Sequence, residues 1–473
     1  MRVKRSWAAV LLVPLLLLPC VAWTEEIAKP QTTLEQGEAP APQTLAEAPP
    51  ASEPELAAPV AMPSPRKWHY LTRLEATTWA LLPRAGVGSE EGFALIEPTF
   101  IIDGGPEFGV NVGAPLRLRL WGGGDGTGVV RREDWDSLSD WGQLVRGLKL
   151  GSDSSPLAVW FGALDNYTLL SGHLVRRYSS RTQPDYHPAG GILTGTVGPL
   201  YTHAFASDVL GARLMGAEFA LDMQHVLFGK PREPGRFTLA LSAVHDWGRA
   251  GGHAPSVTLA HLDATAVVRV RPTHEAHVIA GWGGRPGKVG AWGAVVGVGL
   301  DALTSTLDLK LRLEARRQHG GFRQGFFGPD YELARFQAAG PDGVPLAETP
   351  FPDGYSAHGE LKVGWDAVSY GGLQRHLMLT VGAEVFSWGR LDVDGRVAVQ
   401  LWDRRLEVAV KGLGVGLGQP GSRYLGAAEV RWRFLKGKLY AVGTGGTLLF
   451  PEAGGTLRPG EFASVGLGVD NAR

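Results

Sequence analysis

The segment Ser305–Arg316 constrains this chain more than any other. Leu307, Leu309, Leu311, Leu313 and Ala315 take alternate positions, and Asp308, Lys310, Arg312, Glu314 and Arg316 fill those between. A helix would spread these charges around its whole circumference. A strand places every apolar residue on one face and every charge on the other. The alternation recurs at 115–120, where Arg117 and Arg119 interleave with leucines. It recurs at 391–401 with Asp392, Asp394 and Arg396, and at 423–434 with Glu429, Arg431 and Arg433. Strands of soluble sandwiches average ~5–6 residues. These run well beyond that, about the length that crosses a bilayer when tilted. An aliphatic face against lipid and a charged face toward a wet interior satisfy both sets of side chains. Closure follows, because an open edge in hydrocarbon would leave backbone groups unpaired.

The rest of the composition agrees. Beyond the first residues no run of ~20 apolar positions offers a spanning helix. Gly is 66 of 473 residues, about twice ordinary usage, which suits strands that must curve and kink. The 15 Trp and 44% hydrophobic content exclude wholesale disorder. A net charge of −1 gives no basic footprint for nucleic acid.

The N-terminus predicts export. Arg2, Lys4 and Arg5 precede a short apolar run through Leu18, and Ala22 offers a small residue at a cleavage point. Residues 1–22 therefore read as a signal peptide. Cys20 is the only cysteine, so no disulfide forms within the chain and the mature protein lacks thiol chemistry. Residues 23–66, rich in Pro and Ala, read as a disordered periplasmic linker, and 67–473 as the barrel.

Twenty candidate strands are discernible from 68 onward. Those near 189 and 200 are short enough for an inward hairpin, which predicts an all-β antiparallel barrel of about 18 strands, within a range of 16–20, with both termini on one side. Short turns at 103–105, 152–155, 271–273, 302–303, 402–404 and 436–437 alternate with loops at 83–91, 122–141, 164–188, 247–256, 318–353 and 450–458. The segment 223–235 is long for a turn. Trp121, Trp247, Trp282, Trp292 and Trp388 fall at the loop ends of strands, and Trp68, Trp365, Trp402 and Trp432 at the turn ends, where headgroups favour such rings.

On these features the chain resembles the Gram-negative outer-membrane β-barrel proteins, porins most of all. The resemblance is architectural and carries no diagnostic motif; the chain ends Asn471-Ala472-Arg473 rather than on an aromatic residue. It implies an outer-membrane location with periplasmic termini. The implied partners are outer-membrane lipid, lipopolysaccharide and the barrel-assembly machinery, with a periplasmic partner reachable through 23–66. It also implies a channel for small hydrophilic solutes or ions. In general porins the third outer loop folds inward. Here that loop would bring Arg176, Arg177 and Arg181 against Asp165 and Asp185, beside His173, as a polar constriction. By alternation the lumen face would carry Arg73, Arg117, Arg119, Arg269, Arg271, Lys310, Arg312, Arg316, Lys362, Arg396, Lys411, Arg431 and Arg433 against Glu75, Glu218, Asp222, Asp263, Asp308, Glu314, Glu360, Glu384, Asp392, Asp394, Glu407 and Glu429, near balance in sign and so weakly selective.

Enzymatic readings rest on Ser171 with His173, and on Ser256, His261 and Asp263. Neither group shows the nucleophile, base and orienting residue that catalysis needs. His173, Asp185 and His187 have no metal-ligand spacing. No catalysis, cofactor or metal is expected. The 44 residues before the barrel are too few for a transporter plug. A polysaccharide-export or envelope-assembly barrel is the alternative, and a structural or adhesive barrel with long loops a third.

Overall fold

A computed structural model describes residues 69–470, apart from 84–89, 105–106, 123–127, 153–154, 212, 230–235, 249–254, 339–343, 347, 349–350, 369–373, 404, 436 and 453. The expected leader, linker and Trp68 lie outside the described residues.

The strands are β1 (His69–Pro83), β2 (Glu91–Asp103), β3 (Phe108–Gly113), β4 (Leu116–Trp121), β5 (Val145–Leu150), β6 (Leu157–Gly162) and β7 (Gly190–Val197). They continue as β8 (Leu200–Ala206), β9 (Leu214–Asp222), β10 (Phe237–Asp246), β11 (Val257–Arg271), β12 (His274–Gly284), β13 (Trp292–Leu303) and β14 (Leu307–His319). The last are β15 (Gly354–Val368), β16 (Gln374–Phe386), β17 (Leu391–Leu401), β18 (Leu406–Leu417), β19 (Arg423–Phe434), β20 (Leu439–Pro451) and β21 (Leu457–Asp470).

Neighbours in sequence pair antiparallel, and β21 returns to β1 with Asp470 opposite Arg73 and Gly460 opposite Pro83. The wall is closed. β3 and β4 both pair with β2. They are halves of one strand, broken where Pro115 lacks an N–H to donate. The 21 segments thus make a barrel of twenty strands. An even number leaves His69 and Asp470 at the same end.

Twenty is the upper edge of the expected range, and the reason is the hairpin at 190–206. β7 pairs with β6 and β8 pairs with β9 along their lengths, so both stand in the wall rather than in the lumen. The overlong turn after β9 holds the short helix α1 (Met223–Phe228), capped by Asp222, whose carboxylate accepts from the backbone of Gln224 and His225.

Side chains divide as the alternation requires. Leu241, Val268, Val296, Val298, Val410, Val465 and Leu467 are exposed large hydrophobics on the outer face. A surface this apolar needs lipid. Trp121, Trp247 and Trp282 are exposed near the loop end, and Trp365, Trp402 and Trp432 near the turn end. One stretch departs from simple alternation. β11 shifts register between Val267 and Arg269, so that Arg269 lies opposite Ala276 and Arg271 opposite His274. The extra residue moves Arg269 and Arg271 off the face that carries Asp263. They belong to the outer face, not the lumen.

Candidate functional site in the lumen

The interior is crossed by protein. The segment between β6 and β7 enters the lumen and packs Leu164, Tyr167, Leu169, Leu174, Val175 and Tyr178 into one cluster with Phe322, Phe326, Phe327 and Tyr331, from the segment between β14 and β15. The two inward segments pair as strands at Val175 and Phe327. Arg176 N–H donates to the Phe327 carbonyl at 3.1 Å, and Phe327 N–H to the Leu174 carbonyl at 3.0 Å. A core too apolar for an aqueous lumen is thus buried between two loops. Sequence pattern alone marks the second loop, rich in Phe and Tyr, only as a long outer loop. Its aromatic run was the available signal that it is buried.

Ionic contacts fasten this crossbar to the wall. Arg176 pairs with Glu360 on β15, and Arg177 with Asp394 on β17. Arg177 takes φ 49°, a backbone conformation costly for a side chain of its size. Opposite it Gly382 leaves room for the Arg177 guanidinium, which a Cβ there would meet at 2.6 Å and push aside. Ser171 N–H donates to Glu218 at 3.1 Å, and Arg312 donates to the Ser171 carbonyl at 2.6 Å. His173 is wholly buried against Asp263 and, at 3.1 Å, Glu314. Glu314 also accepts from Arg316 at 2.6 Å. Burial draws the Arg176 guanidinium down to about 10 against the raising effect of Glu360. It stays charged at neutral pH.

The other inward loop holds helix α2 (Tyr331–Ala338). Arg335 makes two bonds to Asp246 at the end of β10, at 2.8 and 2.6 Å, and the Tyr331 hydroxyl donates to the same carboxylate. On β19, Arg423 holds Asp330 and, at 2.8 Å, Gln337. β10 and β19 lie on nearly opposite sides of the ring, so this short segment spans the lumen. Between β4 and β5 a third segment, with 3-10 turns at Arg132–Asp134 and Leu138–Leu144, lines the remaining side. Its buried Asp134 meets Arg131 at 2.6 Å and Arg117 at 2.7 Å.

The expected constriction residues are therefore gathered in the lumen region with different partners. Arg176 and Arg177 do not face Asp165 and Asp185. Asp185 pairs with Arg131, Asp165 lies 3.7 Å from Arg396, and Arg181 donates to the Pro188 carbonyl at 3.0 Å. The wall supplies inward carboxylates nearer to the arginines than any in the loop. Of the expected lumen residues, Arg119 pairs with Glu91 at 3.0 Å, and Arg431 with Glu429 at 3.3 Å. Arg433 pairs with Asp470 at 3.0 Å, and Asp392 accepts from Arg390 at 2.8 Å. Asp308 and Lys310 share their face but remain exposed nearer the turn end. Ser171 turns its hydroxyl to Glu218 at 3.2 Å rather than to His173.

Between the crossbar and the wall from β16 to β21 lies a cleft of about 240 Å³. Its charged lining is Asp165, Arg177, Arg181, Asp394, Arg396 and Lys411. Asp394 faces Arg177 and Asp165 faces Arg396, which leaves Arg181 and Lys411 without a carboxylate partner among the described residues. Leu413, Leu425, Leu448 and Phe462 form the opposite, apolar side.

No family model matches this sequence, and no curated protein does. Among solved structures it is similar to a BenF-like porin from Pseudomonas fluorescens Pf-5, at 10% identity and TM-score 0.33 over 85% of this chain and 98% of that one. It is similar to OccK11 (OpdR) from Pseudomonas aeruginosa at 14% identity and TM-score 0.33, over 85% and 95%. It spans 60% of the length of CdiB from Acinetobacter baumannii, with 84% of this chain covered at 8% identity and TM-score 0.28. By its own pairing and surfaces, the protein is a closed, antiparallel, membrane-spanning β-barrel of the outer-membrane kind.

Proposed function

We propose that the protein is an outer-membrane channel for small hydrophilic solutes or ions, with both termini in the periplasm and its passage along the β16–β21 side of the lumen. The observation that supports it is the lined cleft left between the crossbar and the wall. Twenty strands enclose more space than side chains alone fill, and two inward loops take up most of it. The expected balance of lumen charge does not extend to this cleft. Four cationic side chains against two carboxylates favour anions there.

Purified protein in a planar bilayer is expected to give discrete conductance steps with modest anion preference. Deleting Ser171–Arg181 should enlarge the steps, and the double change Arg181→Glu with Lys411→Glu should move selectivity toward cations. Steps unchanged by the deletion would place the passage elsewhere. The tightly fastened crossbar favours one second reading, a barrel closed until an export partner engages it. Absence of conductance in the full chain, with loss of surface polysaccharide in a deletion strain, would decide for that reading.

A further inference from the structure

The junction between the inward loop and the wall holds a group of residues that conduction does not use. His261 and Asp263 are two apart on β11 and point inward together, ahead of the bulge. His173 descends onto them from the loop. All three are buried, and their candidate donor atoms lie within 4.8 Å of one another. The His173 and His261 rings sit 4.9 Å apart between centroids, and Phe322 stacks over His261 from the other loop at 6.3 Å.

The bonding of these residues is unusual for so buried a place. His261 is 1% exposed. Its Nδ1 lies 3.0 Å from Asp263 Oδ1 without the alignment of a hydrogen bond, and its Nε2 has no partner among the described residues. Asp263 Oδ2 also has none. Buried polar atoms of native proteins are nearly always satisfied. The neighbouring strand is shaped around the ring: a Cβ on Gly281 would approach His261 Cε1 at 2.5 Å, and one on Gly283 would approach its Cδ2 at 2.3 Å. Space is thus kept for an imidazole that bonds to little.

We infer that His173, His261 and Asp263 form a binding site for one divalent transition-metal cation of the zinc type, which staples the inward loop to the barrel wall. Two imidazoles and a carboxylate suit such an ion, with a fourth position left to water. Ligating histidines commonly donate the other ring N–H to a carboxylate. Glu314 Oε1, 3.1 Å from His173 Nε2, stands where that acceptor belongs. One neighbour opposes this arrangement. Arg312 Nη2 lies 2.6 Å from the same nitrogen and, as a donor, holds the opposite tautomer in the ion-free protein. Binding therefore requires the His173 proton to sit on Nε2 and the tip of Arg312 to swing away. Arg312 also bonds to Glu314 and the Ser171 carbonyl, so it keeps partners when it does.

The test uses the full barrel, washed with chelator and titrated with Zn2+ alone, and with Co2+ as a spectroscopic probe. One Zn2+ per chain is expected to bind and to raise the thermal unfolding midpoint. Co2+ should give the intense visible bands of a four-coordinate N/O site. His261→Asn and His173→Asn should each abolish the stoichiometric binding and the Zn2+-dependent rise. Unheated-gel mobility checks that each variant still forms a barrel. His261→Asn is the safer of the two, since its ring supports so few bonds. Failure of the wild type to bind, or unaltered binding by folded His261→Asn, would overturn the site and leave His173 as a purely hydrogen-bonded pin. Neither result bears on conduction, which is measured separately.

Discussion

At the scale of single residues, the lumen is a set of buried ion pairs whose value depends on how completely each partner is enclosed. Arg335 and Asp246 are both nearly inaccessible, at 1% and 2% of side-chain exposure, and bond through two nitrogens. Removing one member leaves the other charged, buried and short of partners, a change that costs about 3 kcal/mol or more. Arg335→Met is expected to lower the stability of the barrel in vesicles by about that amount. Arg335→Met with Asp246→Leu should recover much of the loss, read from unfolding midpoints in denaturant. Equal loss in single and double variants would mean that packing of α2, not the charge pair, is what matters. Neither residue stood out in the sequence, because a lone Arg in a long loop and an Asp at a strand end carry no periodic signal. The inward charges of β14 were legible, since Asp308 through Arg316 repeat every second residue. The pairings were not. Arg176 and Arg177 were assigned carboxylates from their own loop, whereas alternation had already placed Glu360 and Asp394 on the inner wall, closer to hand.

Among elements, strands were readable and inward loops were not. A strand declares itself by local alternation, but whether a loop turns in or out depends on contacts hundreds of residues away in sequence. The bulge in β11 shows the same limit on a smaller scale, since one extra residue turned Arg269 and Arg271 outward with no local mark of it. The segment between β4 and β5 offers a test through Asp134. Burial by itself would raise that carboxyl. His187, whose Nε2 lies 3.4 Å away, and the charges of Arg117 and Arg131 outweigh it, and hold the group well below the usual carboxylate range. A group depressed in the folded state contributes its full stability above the unfolded value, near ~3.9. That contribution falls away only as pH drops through the still lower folded value. Amide protection of residues 128–144, corrected for intrinsic exchange, should thus be as strong at pH 4 as at pH 7. Asp134→Asn should lose it at both. Opening of the wild-type segment between pH 7 and pH 5 would show that a group other than Asp134 sets the anchor.

For the molecule as a whole, strand number and the proposed orientation rest on different physics. Closure in hydrocarbon demands that every edge strand find a partner, so β1 and β21 meet, and an even count sends both barrel ends to one side. An expectation of about 18 falls short of twenty because it treats shortness as the mark of an interior hairpin. β5 and β6, each of six residues, are shorter still and stand in the wall. Short strands suffice here because the inward loops pack behind them and share the burial. Orientation follows from a separate asymmetry. The three longest segments, at 122–144, 163–189 and 320–353, leave from one end, and the connections at the other are a few residues long apart from that at 223–236. Barrels of this kind carry their short turns on the periplasmic side. A peptide tag at Gly251-Gly252, between β10 and β11, avoids the inward loops and should be labelled on intact cells. One at Glu53 should be labelled only after the outer membrane is permeabilised. Labelling of Glu53 on intact cells, with protection of the 251–252 tag, would invert the barrel and put the crossbar on the periplasmic side of the passage.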